Sequence, residues 1–283
     1  MSQIEYETKP ELHEVPSSTD VEVFILAGGK GSRLRNSGRP ELQNTPKVLI
    51  TINTPRGKVT MLDNAIIGLS KANSYGITLL TSDDPDSGAD IIEKHIVKTY
   101  PQLRIKFLRE KTPLGTAGAV YQAFLVKTNQ TAIIIPADTL YPFETLQDAV
   151  IEHTRKKSGL TWLVTTNPGE NAQNTGRILV NPEDRTILYA LENVESDFYE
   201  EILLRFDRLI PATSVGVVIA NRNFYVSKYE QFIKQNDVCG VVDLYRSFIP
   251  WLISTGEVIY SHDIGQPAPD LGTPDRLDQF GWS

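Results

Sequence analysis

Residues 21–34 have the sequence VEVFILAGGKGSRL, an apolar run followed at once by three glycines and two cations. The apolar part predicts a buried β-strand, Val21–Leu26, and the rest predicts a loop at its carboxyl end. Glycine allows backbone N–H groups to turn toward a ligand, and the Arg33 guanidinium offers a fork of donors that matches phosphate oxygens. The stretch therefore predicts a phosphate or nucleotide cradle near the start of an α/β domain.

The spacing of the glycines excludes two well-known phosphate loops. A Walker loop needs Gly-x-x-x-x-Gly-Lys-Ser/Thr, and no such run follows this strand. Gly29 and Gly31 fit the dinucleotide fingerprint Gly-x-Gly-x-x-Gly, but Leu34 stands at its third glycine. No strand ending in Asp or Glu follows at the expected distance, because residues 45–47 read TPK. A dehydrogenase is therefore not favoured.

The composition narrows the class of protein. The 283 residues carry a net charge of −7 and 40% of them are hydrophobic, which is ordinary for one large α/β domain. Lysine and arginine form no dense block, so general nucleic-acid binding is disfavoured. Cys239 is the only cysteine, which excludes an internal disulfide and a cysteine-based zinc site. We find no membrane-length apolar run and no signal peptide, so we expect a cytoplasmic location.

Strand and helix patterns alternate through the first half of the chain. The run 131–135 is apolar apart from its first residue, as in strands that are buried on both faces of a mostly parallel sheet. The predicted strands are Val21–Leu26, 77–81, 104–108, 131–135 and Leu160–Thr165. The predicted helices are Met61–Ala72, 90–99, 117–126 and 143–156.

The second half of the chain has strands of a more mixed type. They are predicted at 176–180, Ile187–Leu191, 215–220 and 258–261, with helices at 223–234 and 244–255. No repeat or low-complexity linker divides the chain. We therefore predict one domain over 21–283, with a nucleotide-binding half (21–165) and an acceptor-binding half (166–283) built on the same sheet. Residues 1–20 are polar and aperiodic, which predicts a flexible N-terminal extension.

Four further clusters follow the glycine-rich loop in order. They are PKVL at 46–49, LGTAGA at 114–119, PAD at 136–138 after the apolar strand, and DLGTPDRL at 270–277. Together with the loop they match the pattern LAGG-x-G-[ST]-RL, PK-x-L, LGTAGA, a strand-ending Asp and a segment like D-x-GTPE, in which Asp275 stands at the place of the Glu. The chain therefore resembles the nucleoside-triphosphate:sugar-1-phosphate nucleotidyltransferases, or sugar-nucleotide pyrophosphorylases, and most of all their guanylyltransferase branch. Five ordered motifs are far more specific than one glycine-rich turn.

The resemblance implies a fold and a reaction. The fold is a single Rossmann-like (GT-A-type) α/β domain with a mixed, mostly parallel central sheet flanked by helices, here without the C-terminal β-helix of many relatives. In the reaction, of the EC 2.7.7 type, a phosphate oxygen of a sugar-1-phosphate attacks the α-phosphorus of an NTP, and pyrophosphate leaves. Because the nucleophile is already an anion, the reaction needs cations, Mg²⁺ and positioning rather than a general base.

The resemblance also implies roles for individual residues. Arg33 and Lys47 would bind the phosphates near the reacting phosphorus, and Asp138 and Asp270 would hold Mg²⁺, a hard cation that takes carboxylate and phosphate oxygens. The nucleotide would lie against Leu26, Ala27, Gly28, Gly29, Gly31, Ser32, Glu110, Gly115 and Thr116.

Two of these assignments have rivals in the sequence. Asp263 begins another Asp-x-Gly and follows a predicted strand more directly, but only Asp270 continues as GTPDRL. Thr116 is equally placed to act as the N-cap of its helix. For Thr273 and Asp275 we expect structural roles, as a turn residue and a helix cap.

Glu110, which shortly precedes the LGTAGA motif, indicates which base the nucleotide substrate carries. Relatives that use UTP or dTTP often carry a glutamine in this neighbourhood. A carboxylate only accepts hydrogen bonds, and guanine offers it two adjacent donors, whereas uracil and thymine offer one donor flanked by acceptors. The sequence therefore favours GTP, with CTP and ATP left open. The alternative is that Glu110 pairs only with a neighbouring cation or with solvent.

The acceptor side departs from the family pattern. Gly176, Glu192 and Gly216 match it, but Asn193 stands where the resemblance implies a lysine on the sugar phosphate. Arg177 or Arg208 are the cations that we expect to replace that charge. The acceptor is expected to be a sugar-1-phosphate or a sugar-like cyclitol-1-phosphate, with Glu192 binding its 2- and 3-hydroxyls.

Two other classes of function remain as alternatives. A GT-A-type glycosyltransferase shares the nucleotide-binding topology but normally carries Asp-x-Asp, and Asp138 is followed by Thr139 and Leu140. The pair Arg33 and Lys47 would also be unexplained in such a glycosyltransferase. A non-catalytic sensor of nucleotides or sugar phosphates would explain Asn193, but the presence of Arg33, Lys47, Asp138 and Asp270 together argues against it. Apart from the two substrates we expect no nucleic-acid or membrane partner, and we predict a homodimer.

Overall fold

The computed structural model describes residues 20–54, 57–72, 75–168, 176–191, 196–206 and 208–279. Of the predicted N-terminal extension, 1–20, only Asp20 lies within these ranges. The strands are β1 Val21–Leu26, β2 Thr51–Thr54, β3 Gly57–Thr60, β4 Gly76–Ser82, β5 Ile105–Glu110, β6 Thr131–Pro136, β7 Leu160–Thr165, β8 Arg177–Val180, β9 Ile187–Leu191, β10 Ile210–Asn221 and β11 Ile259–Asp263. The helices are α1 Ser32–Arg35, α2 Pro40–Gln43, α3 Met61–Ala72, α4 Ala89–Thr99, α5 Gly115–Val126, α6 Leu146–Arg155, α7 Ser196–Arg205, α8 Arg222–Asn236, α9 Ile249–Ser254 and α10 Pro274–Gln279.

A twisted central sheet carries both halves of the chain, with strand order β11-β7-β10-β6-β1-β4-β5 and β8 and β9 added beside β10. The pairs β1–β4, β1–β6, β4–β5 and β7–β11 are parallel, and β10 is antiparallel to both β6 and β7. The predicted α/β fold with a mixed, mostly parallel sheet is therefore confirmed. The division into a nucleotide-binding and an acceptor-binding half stays a prediction.

Apolar side chains cover both faces of the sheet, as the uninterrupted strand sequences require. Side chains alternate between faces along β1, so Phe24 packs toward α5, α8 and α9, while Val23 and Ile25 pack toward α3, α4 and α6. Phe24 meets Phe124 of α5 edge to face, with ring centroids 5.3 Å apart. This double burial holds the carboxyl ends of β1, β4 and β6 at one edge of the sheet, where ligands bind in such folds.

Two predicted elements differ in detail from the structure. The helix predicted over 143–156 starts as a 3₁₀ turn, Phe143–Thr145, and continues as α6. The helix predicted over 244–255 starts as a π turn, Leu244–Phe248, in which Ile249 N donates to the Leu244 carbonyl, and continues as α9. Pro250 follows as the second residue of α9, and because it has no N–H it makes no α-helical bond to the Arg246 carbonyl.

Other elements were not predicted at all. The β2–β3 hairpin, α1, α2 and α7 are short or polar, so they carry little hydrophobic periodicity. For α10 only a helix cap at Asp275 was expected, without an extent for the helix. Strand β10, Ile210–Asn221, extends well beyond the predicted 215–220, and it contains a β-bulge between Ser214 and Val218. Gly216 lies in this bulge at φ +74°, a backbone conformation that favours glycine.

In the ranges that the structure describes, no helix has the length and apolar character needed to cross a membrane.

The buried His153 of α6 gives a test of this packing. Its side chain is 3% exposed, its Nδ1 lies 2.9 Å from Thr161 Oγ1, and burial lowers the pKa of the imidazole to about 4 from 6.5. The unfolded chain therefore takes up a proton at higher pH than the folded chain. The free energy of unfolding is highest above the unfolded pKa and falls as the pH drops from 6.5 toward 4.

We expect the wild type to lose about 3 kcal/mol more free energy of unfolding than His153→Gln when the pH is lowered from about 7 to about 4. Urea denaturation at each pH measures this difference, and the variant keeps a polar group beside Thr161 while removing the titration. The same pH dependence in both proteins would contradict this interpretation.

Candidate active site

The glycine-rich loop runs from the end of β1 to α1 and is fixed at both ends. Ala27 N donates to the Leu80 carbonyl on β4 at 2.9 Å, which continues the parallel pairing of the two strands. Gly31 has φ +64°, and its carbonyl accepts from the first turn of α1. A Cβ at Gly31 would lie 2.9 Å from Lys47 Cβ, so the loop packs directly against that lysine.

Lys47 lies in a 3₁₀ turn, Lys47–Leu49, that begins after Pro46. Its Nζ forms an ion pair with Asp138 Oδ2. Burial by itself would lower the pKa of Lys47, but the carboxylates of Asp138 and Asp270 outweigh burial and raise it above its usual value. Lys47 is therefore a permanent cation at neutral pH, placed where the loop after β1 meets the loop after β6.

Asp138 and Asp270 are brought together by backbone pairing between distant parts of the sequence. Thr139 and Asp270 form an isolated antiparallel bridge, and Leu271 N donates to the Asp138 carbonyl at 2.9 Å. Asp270 Oδ1 accepts from Gly272 N and its Oδ2 accepts from Arg276 Nη1, both at 2.7 Å. The C-terminal DLGTPDRL motif is thereby held against the strand-ending aspartate, as the sequence predicts.

The two carboxylates have opposite pKa shifts. Burial would raise the pKa of Asp138, but the adjacent Lys47 ammonium outweighs burial and lowers it. Burial, reinforced by the negative charge of Asp138, raises the pKa of Asp270.

The donor set fits a hard divalent cation such as Mg²⁺. A Cβ on Gly272 would lie 2.8 Å from Asp270 Oδ1, 2.9 Å from Lys47 Nζ and 3.4 Å from Asp138 Oδ2, so both carboxylates face one small space that glycine leaves open. No group of three or more His, Cys, Asp or Glu side chains with metal-site geometry occurs in the described ranges. Two carboxylates suit Mg²⁺, which completes its shell with water and substrate phosphates.

A cleft of about 270 Å³ lies on one side of Lys47 and Asp138. Six of the predicted nucleotide-binding residues line it: Leu26, Gly28, Gly29, Glu110, Gly115 and Thr116. Ala27 is buried behind this surface, and Ser32 is exposed at the start of α1. The Thr116 hydroxyl accepts from Leu244 N at 2.7 Å, so it fastens α5 to the π turn instead of capping its own helix.

Glu110 is 7% exposed at the end of β5. Its Oε1 accepts from Leu114 N at 3.2 Å, and no other donor to this carboxylate comes from the described part of the chain. Burial raises the pKa of Glu110. The predicted alternative, pairing with a neighbouring cation, does not occur, since Arg109 pairs with Asp90 and Glu93 on α4.

A larger cleft of about 570 Å³ lies on the other side of the ion pair. It is lined by Arg33, Gly176 and Gly216, and it shares Lys47 and Asp138 with the first cleft. Neither Arg177 nor Arg208 belongs to its described lining, and the expectation that one of them supplies a cation there stays a prediction. Glu192 and Asn193 lie outside the described residues.

Other residues of the site were missed by sequence reasoning. Tyr245 lines both clefts, and its hydroxyl donates to the Gly216 carbonyl at 2.5 Å. Arg246 and Arg276 line the larger cleft. Arg276 stands inside the DLGTPDRL motif and was recognisable there, whereas Tyr245 and Arg246 belong to the unpredicted π turn. Asp263, the rival of Asp270, accepts from Thr166 N and Gly265 N and holds the loop after β11.

Residues 22–193 match the family model described as Nucleotidyl transferase. The chain belongs to the nucleotidyl transferase family. The predicted membership of the sugar-1-phosphate nucleotidyltransferases is therefore confirmed as a family assignment.

Two curated relatives with guanylyltransferase names are similar to this family member. It is 27% identical over 250 residues to the D-glycero-alpha-D-manno-heptose 1-phosphate guanylyltransferase of Aneurinibacillus thermoaerophilus, covering 87% of this chain and 94% of that one. It is 28% identical over 178 residues to the probable mannose-1-phosphate guanyltransferase of Schizosaccharomyces pombe. That match covers 61% of this chain and 41% of the yeast protein's length.

Two solved structures share the fold. The inositol-1-phosphate CTP transferase from T. maritima has a TM-score of 0.66 at 18% identity and covers 92% of both chains. HddC from Yersinia pseudotuberculosis, complexed with GMP-PN, has a TM-score of 0.66 at 19% identity, with 92% of this chain and 97% of that one covered. Both support the α/β architecture of this nucleotidyl transferase family member.

Two glycines of the loop give a matched test of the geometry. We expect Gly31→Ala to lower the free energy of unfolding by about 1 to 2 kcal/mol, because an L residue is strained at positive φ and its methyl group meets Lys47. Gly29→Ala is the control, because a Cβ there meets nothing within 4 Å. Thermal and urea unfolding measure both. Equal effects of the two substitutions would show that the loop does not have this conformation.

Proposed function

We propose that the protein transfers a nucleoside monophosphate from an NTP, preferably GTP, to a sugar-1-phosphate or a sugar-like cyclitol-1-phosphate and releases pyrophosphate. One observation carries this proposal: two clefts meet at the Lys47–Asp138 ion pair. The smaller cleft is lined by predicted nucleotide-binding residues, and the larger one by two predicted acceptor-binding residues, Gly176 and Gly216. A nucleotide in the smaller cleft and a phosphorylated acceptor in the larger one would bring their phosphates together beside that pair. This is the arrangement that an in-line displacement needs.

The chain's own residues would act mainly on charge. Arg33, which follows the glycine-rich loop and lines the larger cleft, would bind the triphosphate where it reaches the junction of the two clefts, and Lys47 would neutralise the phosphates around the α-phosphorus. Asp138 and Asp270 would hold Mg²⁺, which supplies Lewis-acid stabilisation of the phosphate oxygens when bound. A phosphate oxygen of the acceptor forms the new bond to the α-phosphorus, the bond to pyrophosphate breaks, and no proton needs to be removed.

The preference for GTP rests on Glu110 and on the relatives. A buried carboxylate at the wall of the nucleotide cleft would accept from the two adjacent donors of guanine. Two similar proteins are named guanylyltransferases, and one solved neighbour is complexed with GMP-PN.

The acceptor class follows from what the relatives' names have in common. Mannose 1-phosphate, a heptose 1-phosphate and inositol 1-phosphate are all phosphate monoesters on a polyhydroxylated ring. We infer that the larger cleft takes this chemical class. The homodimer and the cytoplasmic location also remain predictions, to be tested by light scattering and cell fractionation.

The decisive experiment is a matrix of GTP, CTP, ATP, UTP and dTTP against α-D-mannose 1-phosphate, α-D-glucose 1-phosphate, a heptose 1-phosphate and inositol 1-phosphate with Mg²⁺. Pyrophosphate release is followed by a coupled assay, and the nucleotide product is identified by mass spectrometry. We expect release only when both substrates are present, with GTP preferred. Cleavage of a nucleotide sugar without pyrophosphate release would indicate a glycosyltransferase. Binding without any turnover would indicate a sensor.

Lys47→Ala and Asp138→Asn test the charged junction. We expect each to lower kcat/KM by at least about 100-fold, because each removes charge that acts on the reacting phosphates or their metal. Lys98→Ala, on the exposed end of α4, is the control for loss of a lysine. Circular dichroism and thermal unfolding verify that the variants fold. Rates near that of the wild type in the folded variants would refute these roles.

Glu110→Gln tests whether the Glu110 carboxylate recognises guanine. The amide oxygen can still accept from Leu114 N, so the fold should survive, while one acceptor for the base becomes a donor. We expect the ratio of kcat/KM for GTP to that for UTP to fall at least about tenfold. Glu230→Gln is the matched control on the exposed surface, because its amide oxygen can likewise still accept from the Tyr121 hydroxyl. An unchanged ratio would leave the guanine argument without support.

A further inference from the structure

Each of the two predicted metal ligands already has a cation beside it. Asp138 pairs with the Nζ of Lys47, and Asp270 Oδ2 accepts from Arg276 Nη1 at 2.7 Å. The transfer chemistry above uses Lys47 on the phosphates, but it gives Arg276 no role. The Arg276 side chain is 12% exposed and lines the larger cleft together with Asp270. Arg276 is therefore a largely buried cation in direct contact with a predicted ligand of Mg²⁺.

The backbone holds the Asp270 oxygen that faces Asp138. Gly272 N donates to Asp270 Oδ1 at 2.7 Å, and this bond lies within the DLGTPDRL motif. A Cβ on Gly272 would be 2.8 Å from Asp270 Oδ1 and 3.4 Å from Asp138 Oδ2, so Oδ1 borders the space between the two acids. The contact with Arg276 is made by the other oxygen of Asp270. Loss of the guanidinium would therefore remove a positive charge while Oδ1 stays held by the backbone.

Positive charge prevails around this pair of acids. In the part of the chain that the structure describes, cations outnumber acids in the lining of the larger cleft. The cations are Arg33, Lys47, Arg246 and Arg276, and the acids are Asp138, Asp243 and Asp270. A divalent cation that arrives alone is repelled most by Lys47 and Arg276, because these two contact its ligands and Coulomb energy falls with distance. The negative charges of a bound triphosphate would reverse this balance.

We propose that Arg276 competes with the divalent cation for Asp270, so that the protein binds this cation weakly by itself and firmly only together with the triphosphate. The inference rests on the proposed function for the statement that Asp138 and Asp270 are metal ligands. Arg276 is in this account a positioning residue, because it acts on the metal site through Asp270 and not on the reacting atoms.

Binding of Mn²⁺ in the absence of nucleotide tests this inference. Mn²⁺ takes the same oxygen ligands as Mg²⁺, and electron paramagnetic resonance measures its free concentration during a titration of the protein. We expect Arg276→Gln to bind Mn²⁺ at least about tenfold more tightly than the wild type, because the neutral amide no longer opposes the cation. Arg276→Lys keeps the positive charge, so its affinity should stay close to that of the wild type.

Further variants show where the additional Mn²⁺ binds. Combining Asp270→Asn with Arg276→Gln should abolish the gain in affinity. Asp270→Asn alone should bind Mn²⁺ as the wild type does, and this comparison needs no Arg276 variant to fold. Arg155→Ala removes an exposed arginine in the last turn of α6, controls for the change in net charge and should also match the wild type. Circular dichroism and thermal unfolding verify that each variant folds.

Several outcomes would overturn the inference. Weaker Mn²⁺ binding by Arg276→Gln than by the wild type would mean that the guanidinium only holds Asp270 in place. Equal binding by these two proteins would contradict competition, as would a gain that Arg276→Lys shares or that survives Asp270→Asn. Nucleotide-free binding by the wild type that Asp270→Asn removes would contradict it as well.

The same measurements separate this inference from the proposed function. A gain that depends on Asp270, without pyrophosphate release from any substrate pair, would support competition by Arg276 and overturn the transferase. Pyrophosphate release by the wild type, with no gain in Mn²⁺ affinity on loss of Arg276, would overturn the inference alone.

Discussion

The ion pair between Lys47 and Asp138 is the interaction on which the site depends. It joins the turn that follows the glycine-rich loop to the carboxyl end of β6. The C-terminal segment reaches the same point through the Thr139–Asp270 bridge. Three parts of the chain that are remote in sequence therefore converge on one pair of opposite charges. The double burial of the sheet holds them there, because it fixes where β1 and β6 end.

Charge explains why the pair lies between two clefts. A reaction between two phosphate-bearing substrates has to overcome their mutual repulsion, and this chain is itself negative overall. Lys47 and the arginines of the clefts provide local positive charge, while Asp138 and Asp270 retain a donor set that suits Mg²⁺. In this account the fold contributes positions and charges, and the substrates contribute both the nucleophile and the leaving group.

Much of the fold and of the site could be predicted from local sequence signals. The strand Val21–Leu26, the loop after it and the Asp270 motif lie where their patterns indicate, because apolar runs and glycine spacing act over short range. Tyr245 and Arg246 could not be found in this way. Their π turn is held by hydrogen bonds to Thr116 and Gly216, which are distant in sequence.

The stereochemistry of the transfer tests the central claim most directly. With the substrate pair that the wild type uses, an NTP carrying sulfur at the α-phosphorus in one known configuration is converted, and the configuration of the product is determined by ³¹P NMR. A direct attack between two clefts that meet at Lys47 and Asp138 predicts inversion at the α-phosphorus. Retention would require a nucleotidylated enzyme intermediate and would contradict the account.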